Sequence, residues 1–65
     1  MHTTITVEGM TCEHCERTVE DALRGVGGVT DASADRGAEA AHVDGDADPA
    51  ALVRAVEDAG YTARA

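Results

Sequence analysis

A chain of 65 residues is long enough for one domain, residues 1–65, and too short for two units with separate cores. Thirteen acidic residues against five basic ones give a net charge of −8, which disfavours nucleic acid and anionic membranes as partners. No apolar run approaches the roughly 20 residues of a membrane-spanning helix, and no signal-peptide pattern opens the chain. We therefore expect a cytoplasmic protein without membrane insertion, too small to enclose the cleft of an enzyme.

The composition is rich in alanine and lacks lysine. Thirteen residues are Ala, and all five basic residues are Arg. The chain has one Tyr, Tyr61, and no Phe or Trp. A core with so few large side chains provides little net stability, about 3–5 kcal/mol for a domain of this size. The acidity and the lack of lysine are similar to those of proteins from salt-accumulating halophiles, with an ordinary acidic domain as the alternative.

The first half of the chain predicts a strand, a helix and a second strand. Residues 3–8 alternate polar and apolar side chains of β-favouring types, as in a strand with one buried face. From Cys15, apolar residues recur at the spacing of one helix face, at positions 15, 19, 22, 23 and 26. Glycines at 25, 27 and 28 favour a helix cap and a turn. Residues 29–34 then alternate weakly as the second strand.

The second half predicts a strand, a helix and a short closing strand. Residues 35–37 indicate a hairpin turn, after which residues 39–44 return as a strand with alternate residues facing inward. Asp48 before Pro49 is typical of an N-cap followed by proline at the first helical position. An apolar stripe continues this helix to the next glycine, and residues 61–64 form the last strand. The order predicts an α+β fold of the ferredoxin-like βαββαβ type, a four-stranded antiparallel sheet with two helices on one face.

Two cysteines separated by two residues form the main chemical motif. Cys12 and Cys15 lie where the first strand leads into the first helix, and this spacing lets both sulfurs converge on one ion. The helix N-terminus lowers thiol pKa values, most for Cys15. No other cysteine is present, so the pair cannot complete the four-ligand shell of structural zinc, whereas Cu(I) accepts low coordination. The motif alone also occurs in thiol oxidoreductases and in half zinc sites.

Three further segments strengthen the metal-binding interpretation. The sequence Gly-Met-Thr-Cys-Glu-His-Cys at residues 9–15, the Gly28-Val29 pair and the Ala-Val-Glu-Asp-Ala-Gly-Tyr segment at residues 55–61 resemble the heavy-metal-associated domain of copper chaperones and of metal-pumping P-type ATPases. The resemblance covers nearly the whole chain. It implies the same βαββαβ fold, metal binding by Cys12 and Cys15, and a P-type ATPase or another domain of this family as partner. In strands two and three the chain departs from the family, with Ala where larger aliphatic residues are usual.

Four residues around the cysteines are expected to support the site. By the resemblance, Thr11 before the first cysteine favours copper over zinc, Met10 is a buried support for the loop rather than a ligand, and Tyr61 approaches the thiolates from the side. His14 could tune the thiolates or join a metal-bridged dimer, and the plainer interpretation is a solvent-facing loop residue. His2 and His42 are too far apart in sequence to indicate a site.

The carboxylates near the loop are expected to belong to the solvated surface. They are Glu8, Glu13 and Glu16. Acidic residues are so frequent in this chain that neighbouring carboxylates do not by themselves indicate an acid–base pair.

These observations predict a cytosolic Cu(I) chaperone that transfers its ion to a partner such as a copper-transporting P-type ATPase. The free protein is expected to be a monomer, with a metal-bridged dimer as an option. The alternatives are a dithiol–disulfide redox module and a binding or sensor module for another soft or borderline metal such as Zn, Cd or Hg. The lack of supporting aromatic and proline residues, and the short chain, count against the redox alternative.

The acidity predicts that salt stabilises the fold. At about 1 M salt the Debye length falls to about 3 Å, so repulsion among the carboxylates is screened. The melting temperature of the reduced protein should therefore rise from low to molar KCl. A melting temperature that stays level or falls with added KCl would remove the halophile interpretation.

Overall fold

The computed structural model describes residues 2–65 and shows six elements, so Met1 of the predicted domain lies outside the described residues. Their bounds are β1 His2–Glu8, α1 Glu13–Arg24, β2 Val29–Asp35, β3 Ala40–Gly45, α2 Pro49–Asp58 and β4 Thr62–Arg64. The predicted order of strands and helices is confirmed. Neither helix within residues 2–65 is long and apolar enough to cross a membrane.

The four strands form one sheet in the order β2-β3-β1-β4, and every neighbouring pair is antiparallel. The predicted four-stranded antiparallel sheet with two helices is confirmed. In the register, Ile5 of β1 lies opposite Ala41 of β3, and Val7 of β1 lies opposite Ala63 of β4. Because side chains alternate across a strand, these pairs share the face that the helices cover.

The core lies between this face and the helices. Seven of the large apolar side chains are at most 2% exposed, namely Ile5, Val7, Val19, Leu23, Val43, Leu52 and Val56. The sheet completes the core with Ala32, Ala41 and Ala63, all buried. Three alanines thus belong to the core itself, and Ala34 is half-buried at the edge of the core. Small sheet residues leave room for the large side chains of the helices, which keeps the interior filled.

Several element boundaries differ from the sequence prediction by one or two residues, and two of these differences have a clear physical reason. Helix α1 begins at Glu13 with Cys12 as its N-cap, whereas the apolar spacing placed the start at Cys15. The Cys12 carbonyl accepts hydrogen bonds from the Cys15 and Glu16 N–H groups at 3.0 and 3.3 Å, so the first turn consists of polar residues that a hydrophobic pattern cannot show. The predicted turn at residues 35–37 and strand start at residue 39 are also displaced, because β2 runs to Asp35 and β3 begins only at Ala40. Glu39, with a φ of 52°, belongs to the turn.

Side chains from α1 cover the free edge of β2. Glu20 Oε2 accepts a hydrogen bond from the Ala34 N–H at 2.9 Å, and Glu16 Oε2 accepts one from the Arg36 N–H at 2.7 Å. Arg24 donates to the Ala32 carbonyl at 2.9 Å. Glu16 is therefore a structural contact and not only part of the solvated surface, which corrects the expectation. These bonds hold α1 against β2 and occupy backbone groups that would otherwise be open to another strand.

The loops that follow α1 and β3 cross at two glycines. The Asp46 N–H donates to the Gly28 carbonyl at 3.0 Å. Gly28 and Gly45 have φ values of 95° and 127°, in the region that favours glycine. A Cβ at Gly45 would lie 2.0 Å from the Gly28 carbonyl oxygen. No side chain fits at this crossing.

Replacing Gly45 by Ala should therefore destabilise the protein by about 2–5 kcal/mol, through backbone strain and through the clash. Gly60→Ala should cost only about 1–2 kcal/mol, because φ is 102° but no atom lies within 4 Å of the new Cβ. Gly27→Ala is the matched control, with open space and no positive φ. Urea unfolding of the three variants measures this order, and equal losses at Gly45 and Gly27 would contradict it.

Candidate metal centre

The two cysteine sulfurs lie at the junction of β1 and α1. The chain turns at Gly9, whose φ is 99°, and Cys12 then caps α1 in an extended conformation. Cys15 lies in the first helical turn, one turn above Cys12. The two Sγ atoms are consequently 3.7 Å apart. Cys12 is exposed and Cys15 is half-buried, so the pair is open to solvent on one side.

Cys15 is surrounded by hydrogen-bond donors. The Thr11 hydroxyl oxygen lies 3.6 Å from Cys15 Sγ. The pKa of Cys15 falls from its ordinary 9.0 to about 6, chiefly through the Tyr61 hydroxyl and then through the backbone N–H and hydroxyl of Thr11. The predicted lowering is confirmed in direction, but its main cause is Tyr61 rather than the helix N-terminus. Hydrogen bonds to a charged group favour the charged form, so Cys15 is mainly thiolate at neutral pH.

Tyr61 is placed beside the cysteines by the end of α2. Its backbone N–H donates to the Val56 carbonyl at 3.2 Å, and its ring packs half-buried against the core. A Cβ at Gly9 would lie 3.6 Å from the ring, so the loop and the ring are neighbours. The interaction with Cys15 raises the pKa of Tyr61 above its ordinary 10.0. The hydroxyl therefore keeps its proton and stays a donor to the thiolate.

Thr18 belongs to this group although the sequence analysis did not single it out. Its hydroxyl donates to the His14 carbonyl at 2.9 Å, and its side chain lowers the pKa of Tyr61, against the rise that Cys15 causes. Thr18 lies three residues after Cys15, which places both on the same side of α1. That spacing was the available signal, but nothing in the sequence links it to Tyr61.

The remaining predicted residues lie around the loop. Met10 is half-buried and packs against the core, as a support would, and His14 is exposed. Glu13 is exposed in the first turn of α1, and Glu8 forms an ion pair with Arg64 at 3.4 Å. Within residues 2–65, no three His, Cys, Asp or Glu side chains are grouped closely enough to hold one metal ion.

His2 and His42 are exposed on β1 and β3, as expected of surface residues. They are, however, neighbours in space. Their rings stack with centroids 5.4 Å apart, because antiparallel pairing of β1 with β3 joins positions that are distant in sequence.

Chemically, the arrangement offers two adjacent sulfurs with one already ionised. Thiolate is the form that binds soft metal ions and the form that attacks disulfides. The open side leaves room for a third ligand from another molecule. The donors that stabilise the thiolate come from the loop and from the end of α2, so both ends of the fold contribute to the centre.

Comparison with known proteins shows the same pattern over almost the full length. Residues 4–62 match the heavy-metal-associated domain family. The chain is 45% identical over 60 residues to copper-transporting ATPase 2 of Rhizobium meliloti (strain 1021). The aligned region covers 89% of this chain and 7% of that protein. It is 42% identical over 60 residues to copper chaperone CopZ of Staphylococcus haemolyticus (strain JCSC1435). The aligned region covers 88% of this chain and 88% of that protein. A solved CopZ metallochaperone superposes with a TM-score of 0.93 at 33% identity, covering 98% of this chain and 100% of the other.

Replacing Tyr61 by Phe should raise the pKa of Cys15 from about 6 toward 9.0, because the ring remains and only the donor is lost. Thr11→Val should produce a smaller rise, since its backbone N–H is retained. Thiolate absorbance against pH in the Cys12→Ser background measures both.

The same shift predicts how stability depends on pH. The folded pKa of Cys15 lies below the unfolded value, so the stability of the reduced protein should increase as pH rises from about 6 to 9. Tyr61→Phe should flatten this increase. An unchanged titration of Cys15 in that variant would show that the hydroxyl does not set its pKa.

Proposed function

The chain belongs to the heavy-metal-associated domain family, and from this premise we propose that it carries Cu(I) in the cytoplasm on the thiolates of Cys12 and Cys15. The ion is its cargo, which it passes to a copper-transporting P-type ATPase or to another domain of this family. It acts as a carrier and not as an enzyme. Its relatives include both a copper chaperone and copper-transporting ATPases, so the two sides of such a transfer are represented among them.

The observation that carries the proposal is the sulfur pair, with its Sγ atoms 3.7 Å apart, open to solvent and partly ionised. Soft thiolates select Cu(I), and Cu(I) is satisfied by few ligands. Zinc in structural sites takes four ligands, of which this pair supplies two. Copper is accordingly the preferred cargo, and zinc or another soft metal is the second candidate.

Transfer proceeds by exchange of thiolates. An incoming partner thiolate binds Cu(I) while both chain sulfurs are still attached, which gives a three-coordinate ion. One chain sulfur then leaves and a second partner thiolate replaces it. Cys12, the more exposed sulfur, is the first to leave. Cys15 remains longer, because it is half-buried and less accessible to an incoming thiolate.

The partner docks on the surface beside the sulfurs. This surface consists of Gly9, Met10, Thr11 and Tyr61, small or apolar groups of the loop and of the segment after α2; Thr11 Oγ1 lies 3.6 Å from Cys15 Sγ. The free chain is a monomer in this proposal, and a dimer forms only if two chains share one ion through their thiolates. His14 is exposed and takes no part in ion binding.

Competitive titration of the reduced protein with Cu(I) and Zn(II), against a chelator of known affinity, tests the proposal. We expect one tightly bound Cu(I) per chain, and Cys12→Ser and Cys15→Ser should each abolish tight binding, because one thiolate cannot hold the ion against cytosolic thiols. Met10→Leu is the matched control and should keep the affinity within about tenfold, since it preserves volume and removes only a thioether.

Each contrary outcome has a distinct meaning. Tight binding retained in either cysteine variant would overturn the two-thiolate site. A large loss in Met10→Leu would make Met10 a ligand. Preference for Zn(II) over Cu(I) would replace the cargo while keeping the site, and rapid disulfide formation with no metal binding would favour the redox alternative.

A further inference from the structure

The turn between β2 and β3, residues 36–39, lies at the same end of the sheet as the cysteines. Ala40, the first residue of β3, lies opposite Thr6 near the end of β1. It also lies opposite Asp35, the last residue of β2. The β2–β3 turn is therefore next to the point where the chain leaves β1 for Cys12, although the two are distant in sequence.

The β2–β3 turn is bonded to the strand that leads to the cysteines. The Val7 N–H donates to the Glu39 carbonyl at 2.9 Å, one position beyond the last paired residues of β1 and β3. Within the turn, Asp35 Oδ1 accepts from the N–H groups of Gly37 and Ala38 at 2.9 and 3.3 Å. Such side-chain bonds to the backbone hold a turn in one conformation, so β1 ends against a firm support.

The same turn is bonded to the helix that carries Cys15. Glu16 directly follows Cys15, and its Oε2 accepts from the Arg36 N–H at 2.7 Å. Its Oε1 lies 3.5 Å from Arg36 Nη1, and the Glu16 side chain is 22% exposed. A carboxylate that accepts from a backbone N–H makes a stronger hydrogen bond than a neutral acceptor does. Glu16 thus connects the first turn of α1 to the β2–β3 turn.

The first turn of α1 depends on such a connection because its N-cap supplies none. Cys12 occupies the N-cap position without a side-chain cap hydrogen bond, whereas Asp48 caps α2 through the Ala50 N–H. A helix end without a side-chain cap frays more readily. Val19 and Leu23, the buried residues of α1, belong to later turns. They hold the helix axis and leave the first turn to other contacts.

We propose that Glu16 is a positioning residue for the sulfur pair, because it fixes the first turn of α1 to the β2–β3 turn through Arg36. The same turn holds β1 through Val7, so both sides of the segment that carries Cys12 and Cys15 are bonded to one support. This arrangement keeps the two sulfurs at a separation that suits one shared ion. The inference rests on the proposed copper function and deepens it by assigning a residue that is not itself a ligand.

Backbone NMR of the reduced, metal-free chain tests this connection directly. Glu16→Ala should speed hydrogen exchange of the Arg36 amide and lower the order parameters of residues 12–15, because the first turn then frays. Glu16→Gln should restore both, since its side-chain oxygen still accepts the N–H. Glu20→Ala is the comparison variant. It removes the bond to the Ala34 N–H one helical turn later, so it should speed exchange there and leave residues 12–15 unchanged.

Cu(I) titration of the same reduced variants tests the consequence for the ion. Glu16→Ala should weaken Cu(I) binding about tenfold, the scale of one charge-assisted hydrogen bond, whereas Glu16→Gln should stay within about threefold. Glu20→Ala should also keep the affinity, although it loses stability. Glu13→Ala controls for charge, because it removes an exposed carboxylate from the same helical turn, and it should keep the affinity as well.

The outcomes separate this inference from the copper proposal. Equal weakening by Glu16→Ala and Glu20→Ala would reduce Glu16 to a general stabilising contact and overturn its positioning role. A Glu16→Gln variant no better than Glu16→Ala, or order parameters of residues 12–15 that do not change in Glu16→Ala, would overturn it too. A wild-type chain that binds no Cu(I) would instead overturn the copper proposal, and the metal-free NMR would still decide whether Glu16 holds the first turn.

Discussion

The anchoring of α1 against the sheet determines where both cysteine sulfurs lie. Val19 and Leu23 are fully buried beneath the helix, while Glu20 and Arg24 bond the backbone of β2. Small residues of the sheet, such as Ala32, accept these large side chains without voids. A helix held on two sides cannot shift along its axis, so the cap at its first turn is fixed. The separation of the two sulfurs follows from this cap and from the one-turn spacing of the cysteines.

Thiolate chemistry in so acidic a chain depends on local donors. With a net charge of −8, the average field around the protein disfavours another negative charge. At Cys15 the Tyr61 hydroxyl and the backbone N–H and hydroxyl of Thr11 outweigh this effect and lower the pKa of the thiol. These donors come from segments that the fold alone brings together. A short chain thus obtains a reactive sulfur without a deep pocket and leaves the centre accessible to a partner.

The sequence was sufficient for the element order, because alternation, helical spacing and caps act locally. Asp48 accepts from the Ala50 N–H at 3.0 Å with Pro49 at the first helical position, as the Asp-Pro pair predicted. The start of α1 was missed because its first turn is polar. Contacts made by tertiary structure were missed for another reason. Neither the link of Thr18 to Tyr61 nor the stacking of His2 on His42 leaves a periodic signal, since each joins residues whose proximity depends on packing or strand register.

We propose that two sulfurs of this chain, and no other atoms of it, hold the cargo ion. X-ray absorption at the copper edge, on the reduced protein loaded with less than one equivalent of Cu(I), tests this most directly. Binding by Cys12 and Cys15 alone should give a spectrum fitted by two sulfur neighbours with no nitrogen or oxygen, unchanged by Met10→Leu or His14→Gln. A nitrogen neighbour, or a third sulfur that disappears with Met10, would contradict it.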